Sequence, residues 1–217
     1  IHGFTIEAGK TTGLVLDFDA CKSIVRRGNG SFGLKPVIQV MPMTLTAIAG
    51  YVQTGLTDVT VSAQKGGVVL KATQPNASGQ FVLAPLDPAK GPYDVVFTGK
   101  NLTTSVIAGV PVSSEQTTTL NSSLDAVMLP SATSGTVTGN VGPTAARDTA
   151  AVRALQAVGT VPAVEVAHVN VDPLSGDYSL SLPTAAPRLL TYSNPMVTPL
   201  NFQPQSGAGK YKLDASA

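Results

Sequence analysis

Three features of the sequence predict an all-β chain, with tandem β-sandwich modules of Greek-key type preceded by a partial β-domain. Short runs of alternating apolar and hydroxyl side chains recur along its 217 residues. The 21 glycines and 16 prolines interrupt those runs too often for long helices. One motif also occurs twice, as Ala77-Ser-Gly-Gln-Phe-Val-Leu-Ala-Pro-Leu86 and as Leu174-Ser-Gly-Asp-Tyr-Ser-Leu-Ser-Leu-Pro183. Each copy is a Ser-Gly turn feeding a strand that sets Phe81 and Leu83, or Tyr178 and Leu180, on one face.

Charged residues make up 12% of the chain, against roughly 25% in an ordinary soluble domain. Its outward faces are therefore expected to be polar through hydroxyls and amides, and Thr and Val suit a pleated surface. The net charge of +1 is shared evenly along the chain. No segment gathers the basic stripe that a phosphate backbone or an anionic membrane surface requires, so neither is an expected partner. A single cysteine, Cys21, excludes an intrachain disulfide or a cysteine-built zinc site and is expected to be a small buried apolar residue. No run of 18 apolar residues is present to span a membrane as a helix. The chain opens Ile1-His2-Gly3 rather than on Met, so a processed or truncated N-terminus is expected.

Residues 1–45 read as strands joined by tight turns. Phe4-Thr5-Ile6-Glu7 alternates, Ala8-Gly9-Lys10 turns, and Leu14, Leu16 and Phe18 then share a face opposite Val15, Asp17 and Asp19, which makes a hairpin. Ile24 and Val25 form the next strand, Arg27-Gly-Asn-Gly30 the turn, and Leu34 to Met41 one further strand. Pro36 places that strand's start at a sheet edge. The segments Ala8-Gly-Lys-Thr-Thr, Leu14-Val-Leu-Asp-Phe-Asp-Ala20 and Gly28-Asn-Gly-Ser-Phe-Gly-Leu-Lys-Pro-Val37 resemble the closing strands of an uncharacterised bacterial lipoprotein family, a domain of unknown function. That resemblance implies a secreted or envelope-anchored bacterial protein, and no known activity.

From Ala47 onward the chain repeats. Ile48-Ala-Gly-Tyr-Val52 matches Val137-Thr-Gly-Asn-Val141 at an offset of 89, whereas Gly79 matches Gly176 at an offset of 97. The boundaries expected are 1–45 for the partial domain, 46–130 for the first sandwich and 131–217 for the second. In the first, Val59 to Ala63 and Val68 to Leu70 pair across Gly66-Gly67, and Tyr93 to Thr98, Ser105 to Ile107 and Thr117 to Asn121 complete about seven short strands. In the second, residues 150–158 fit either a helical face or a strand, and the repeat favours the strand. Val164 to Val171 follows as another strand, Arg188 to Tyr192 parallels the Tyr93 strand, Ser193 to Leu200 is a proline-punctuated loop, and Lys210 to Ala215 ends the chain on a strand.

An opening Gly-x-Val strand, a small-residue strand and a Ser-Gly-(Phe/Tyr)-x-Leu strand are together similar to the carboxypeptidase regulatory-like, or transthyretin-like, β-sandwich. That resemblance covers residues 46–217 and implies accessory modules of secreted proteins, found beside enzymes, in adhesins and in surface stalks. Related collagen-adhesin stalk domains carry a Lys-to-Asn or Lys-to-Asp cross-link set by a buried Glu, and no such trio can be matched here.

Candidate chemistry is sparse. Gly9-Lys10-Thr11 lacks the earlier glycine and following helix of a phosphate loop. Asp17 and Asp19 share one strand face and are weak metal candidates, since two carboxylates supply few of the six to eight oxygens that calcium takes. His2 and His168 are the only imidazoles, and no Gly-x-Ser-x-Gly elbow is present for a hydrolytic nucleophile. Glu7, Glu115 and Glu165 fall in three different parts of the chain, too scattered for a glycosidase pair. Four Asn-x-Ser/Thr sequons, at Asn29, Asn76, Asn101 and Asn121, are expected by chance in so hydroxyl-rich a chain. Five tyrosines and no tryptophan offer no sugar-stacking platform.

Neither an enzyme nor a cofactor is expected. The expected role is that of an extracellular or cell-surface structural protein of bacteria, whose partner is itself, assembling through sheet edges into a fibre or matrix. Phe4, Thr5 and Ile6 at one end, and Tyr211 and Leu213 at the other, are the expected donated strands. The competing expectation is a carbohydrate- or peptide-binding accessory module of a larger secreted protein, with a glycan as possible ligand.

Overall fold

The structure, a computed structural model, describes residues 14–18, 24–26, 31–34, 38–42, 46–143, 147 and 149–216. It is all-β, with several sheets in sandwich arrangement; its only helical elements among the described residues are two 3-10 turns, Pro88–Lys90 and Ser123–Asp125. Chain contacts divide it into two compact units, Ile1–Leu45 and Thr46–Ala217.

In the first unit, β1 (Leu14–Phe18) pairs antiparallel with β4 (Ile38–Pro42), and β2 (Ile24–Arg26) pairs antiparallel with β3 (Phe32–Leu34). The strand expected over residues 34–41 is thus two, each with a different partner. Ile24, Phe32, Leu34 and Ile38 are all exposed. Phe4, Thr5, Ile6, Asp19, Cys21, His2 and the Gly9-Lys10-Thr11 turn lie outside the described residues.

The second unit opens with seven strands: β5 (Ala47–Tyr51), β6 (Thr60–Lys65), β7 (Val68–Thr73), β8 (Gln80–Leu83), β9 (Tyr93–Thr98), β10 (Ser105–Val110) and β11 (Thr117–Thr119). The Gly66-Gly67 turn joins β6 to β7, and β11-β5-β8 faces a larger sheet containing β10-β9-β6-β7. Between the two sheets lies a core of 18 buried side chains, among them Ile48, Val61, Phe81, Leu83, Tyr93, Phe97 and Leu120. Phe81 and Phe97 meet edge to face, with ring centroids 5.6 Å apart.

Then follow β12 (Ser134–Asn140), β13 (Ala151–Val158), β14 (Val161–Asn170), β15 (Asp177–Pro183), β16 (Arg188–Thr191), β17 (Gln203–Pro204) and β18 (Lys212–Ser216). Residues 151–158 are a strand, because their β-branched and small side chains pair with β14 on one side and β18 on the other. The β12-β15 pair and the β14-β13-β18 sheet enclose a smaller core of six buried residues among those described, including Val152, Ala154, Leu180 and Leu182.

The twofold motif folds twice in the same register. Ile48 faces Leu83 and Gly50 faces Phe81 across β5-β8, just as Val137 faces Leu180 and Gly139 faces Tyr178 across β12-β15. Val52 donates to the Gly79 carbonyl at 2.9 Å, and Val141 to that of Gly176 at 2.8 Å. Both turn glycines have positive φ, 78° and 82°. A Cβ would stand 2.1 Å from the Val52 oxygen at Gly79, and 2.6 Å from the Val141 oxygen at Gly176. Only glycine fits both the backbone angle and the space.

One expected equivalence fails. Instead of taking the place of β9 in the second sandwich, β16 runs parallel to β10, with Ser105 opposite Arg188 and Ala108 opposite Thr191. The seat beside β13 is filled by β18. Leu190, Tyr192, Met196, Leu200 and buried Phe202 accordingly pack on the first core. The physical reason is that β10 would otherwise be an edge, and Leu189 and Leu190 can each bury on one of its two faces.

A third apolar cluster joins the sandwiches, with Val96 of β9 and Val106 of β10 against Val158 and Val164 of the second hairpin. Strand β9 is therefore buried on both faces, Val95 and Phe97 inward and Val96 outward, which explains its unbroken Val-Val-Phe run. Beside the cluster, Gln64 is 1% exposed. Its side chain accepts from the Glu165 N–H and donates to the Glu165 carbonyl, both at 2.8 Å.

Gly79→Ala is expected to lower unfolding free energy in urea titration by about 2 kcal/mol, through left-handed backbone strain and the carbonyl clash, and Gly176→Ala to act in the same direction. Gln64→Leu, which leaves the Glu165 backbone groups without partners, is expected to cost about 2 kcal/mol in the same measurement.

Candidate functional site

Strand β5 shows what a finished edge looks like. On its side away from β8, Ala47 N donates to Gln116 O at 3.0 Å and Leu120 N to Ala49 O at 2.9 Å. The Asn121 side chain then mimics a strand: Tyr51 N donates to Asn121 Oδ1 at 2.7 Å, and Asn121 Nδ2 donates to Tyr51 O at 2.8 Å. Val127 closes the row, donating to Tyr51 O at 2.9 Å and accepting from Gln53 N at 3.0 Å. Residues 116–127 thus run parallel to β5 and seal it. Leu120 drops into the core at 1% exposure, leaving Ile48 at 0% and Phe81 at 1%.

Strand β12, its counterpart, has no such cover. It belongs to a two-stranded sheet with β15, and the groups equivalent to Ala47, Ala49 and Tyr51, on Thr136, Thr138 and Asn140, face outward with no strand beside them among the described residues. Consequently Val137 and Tyr178, the counterparts of Ile48 and Phe81, are only half-buried. An open hollow of about 560 Å³ lies there, lined by Thr138, Gly139, Asn140, Asp177, Tyr178 and Ser179. No residue of Ser134–Asn140 is charged, so the edge lacks the lysines with which exposed edges usually repel other strands.

The floor of this site is tied by side-chain hydrogen bonds. Asn140 Nδ2 donates to Ser175 O at 2.7 Å and to Asp177 Oδ1 at 2.8 Å. That hydrogen bond, with help from the Ser175 side chain, holds the Asp177 carboxyl below the usual range. The Ser175 and Leu174 N–H groups do the same for Asp172, whose Oδ1 caps the turn. Arg147 reaches across, donating to Val141 O at 2.9 Å and Leu174 O at 3.1 Å.

The C-terminal donor candidates sit elsewhere. Leu213 faces Ala154 where β18 pairs with β13 of its own chain, and Arg153, opposite Asp214, grips that carboxylate at 2.6 Å and holds it below the usual range. Tyr211 packs on the second core and its hydroxyl donates to Pro183 O. Burial pushes that phenol up to about 12. Strand β18 itself carries Lys212 and Asp214.

A second concavity, about 550 Å³, lies in the first sandwich and is lined by Tyr51, Leu124, Asp125, Met128, Arg188, Leu200 and Phe202, among others. The Arg188 guanidinium lies over the Phe202 ring, 5.5 Å from its centre, while Leu124 and Met128 are exposed. Sequence reasoning missed this site, since Arg188 and Phe202 reach it only through the crossover of β16.

Other sequence candidates are dispersed. Asp17 lies opposite Gln39 in the β1-β4 ladder, and among the described residues no three His, Cys, Asp or Glu side chains gather as a metal site. His168 is exposed on β14. Asn76 and Asn121, both in sequons, use their side chains to hold a turn and a strand edge. Among the described residues, no helix is long and apolar enough to cross a membrane.

A family described as Domain of unknown function (DUF4382) matches residues 1–36. No curated protein matches the chain. Among solved structures, the chain is similar to two type II cohesin-X-dockerin complexes of Acetivibrio cellulolyticus, an N-terminal and a C-terminal interface mutant, at 20% and 21% identity. Each match has a TM-score of 0.34 and covers 40% of this chain and 58% of the other, so the chain spans less than two thirds of those neighbours.

Ionisable groups of the second sandwich set opposite pH limits. Tyr211 is held protonated in the fold, so its contribution is full below pH 10 and lost as pH rises through about 12. Tyr211→Phe is expected to flatten that alkaline limb in thermal melts, while costing about 1 kcal/mol at pH 7 for the missing hydrogen bond. Asp172, Asp177 and Asp214 act the other way, their contribution present above the unfolded carboxylate range and lost as pH falls through their lowered values.

Proposed function

We propose that this chain is a structural subunit of a bacterial surface or matrix, working outside the cell or in its envelope, and that it associates with other copies through sheet edges. One observation carries the reading. The second sandwich is built on the plan of the first, yet among the described residues no strand seals β12 as residues 116–127 seal β5, which leaves its outward edge uncharged and unpaired over a half-open core. Added strands gain affinity from main-chain hydrogen bonds and register from alternate side chains. Head-to-tail addition does not close on itself, so it extends into fibres. This reading is not catalytic and involves no cofactor. Residues 46–130 and 131–217 serve as the two modules, with β16 and β17 strapping the second to the first. The N-terminal residues Phe4 to Ile6 remain the proposed donor, since Tyr211 and Leu213 already serve their own sheet.

A second reading, an accessory module binding a glycan or peptide, draws on the cleft where Arg188 and Phe202 meet exposed Leu124 and Met128. Saturable binding to a glycan array by an unassembled monomer, lost in Arg188→Ala, is its discriminating result.

For the assembly reading, sedimentation velocity and negative-stain microscopy are expected to show concentration-dependent, linear association of the wild-type chain. Thr136→Pro removes one outward N–H of β12 without touching the β15 ladder, and is expected to leave monomer. Wild-type protein that stays monomeric at every concentration sinks the proposal.

A further inference from the structure

Resting on the reading of β12 as an association site, we infer the chemistry of its occupant. It is an extended, uncharged, hydroxyl-rich polypeptide segment that runs parallel to β12 and carries a branched aliphatic residue. The template is the chain itself, since β5 and β12 share register residue for residue with their partners β8 and β15. Gln116-Thr-Thr-Thr-Leu-Asn121, the segment that occupies β5, contains no charge.

The backbone and the aliphatic side chain of that segment each have a receptor on β12. The outward N–H groups of Thr136 and Thr138 correspond to those of Ala47 and Ala49, of which that of Ala47 donates to Gln116 O. The aliphatic side chain, in the place of Leu120, would cover Val137 and Tyr178, which are half-exposed for want of it. The asparagine of the first copy has no seat here: Gly50 leaves room for Asn121 Oδ1, 2.6 Å from where a Cβ would stand, whereas at Gly139 the Tyr178 hydroxyl already fills that place at 2.5 Å. Charge agrees with the rest: neither Ser134–Asn140 nor the template segment holds an ionisable residue, whereas β18 carries Lys212 and Asp214.

The probe is a synthetic peptide with the sequence of residues 116–122, titrated into isotope-labelled full-length protein held at monomeric concentration. Saturable shifts confined to β12 and β15, with new amide-exchange protection at Thr136 and Thr138, are expected. Thr138→Pro, whose lost N–H faces outward, should weaken binding about tenfold or more, and so should a peptide carrying Leu120→Ser. Thr136→Pro serves as the second edge variant should Thr138→Pro fail to fold. Absence of saturable binding, shifts confined to β5 and β11, or equal affinity in the proline variant overturns the inference. The two proposals fail separately. Peptide capture by a chain that never self-associates removes the assembly reading alone, and assembly without peptide capture removes this one.

Discussion

A strand has two edges, and each backbone amide on either edge needs a hydrogen-bond partner or water. Most of the architecture of residues 46–217 follows from how that demand is met. The β5 edge is closed by residues 116–127, with the Asn121 side chain standing in for a peptide group where the strand pairing stops. The β10 edge is closed by β16, brought back from between two strands of the second sandwich. The β13 edge is closed by β18. Where no strand among the described residues meets the demand and the amides are left to water, on β12, burial of the core behind it also falls short, because a covering strand would deliver a further apolar side chain.

The two sandwiches are unequal partners. Each fully buried aliphatic or aromatic side chain contributes about 1.5–3 kcal/mol, so a core of 18 outweighs one of six several-fold. The smaller sandwich leans on the larger through Val158 and Val164, which bury against Val96 and Val106, and through Gln64, which treats the Glu165 peptide as a strand neighbour would. Arg153 ties the same corner, donating to Gly67 O at 3.1 Å while gripping Asp214.

Local pattern made much of this legible. The alternation of Phe81 and Leu83, repeated at Tyr178 and Leu180, gave the strands, and the Ser-Gly turns gave the register, since only glycine tolerates the positive φ beside a facing carbonyl. The ambiguous 150–158 run resolved as β13 on the strength of the repeat. What the pattern could not show was partner choice. Arg188 to Thr191 has the side chains of a β9 equivalent, but the decision between β13 and β10 depends on which edge is vacant in three dimensions. The open edge of β12 was hidden for the same reason, because an unfilled seat leaves no residue to read. Tyr178 carried the one sequence hint, a polar-tipped ring where the first copy has Phe81.

The return of β16 to β10 also orders events during synthesis. A chain emerging from the ribosome presents β5 to β11 early, but the large sheet of the first sandwich stays unfinished until residues beyond 188 have been made. In the interval the β12-β15 and β13-β14 pairs emerge, and β13 must wait longer still for β18. The two cores are therefore interleaved in time although they are successive in sequence, and a nascent chain stalled near residue 187 would carry two vacant seats, beside β10 and beside β13, within reach of any neighbouring chain on the same message.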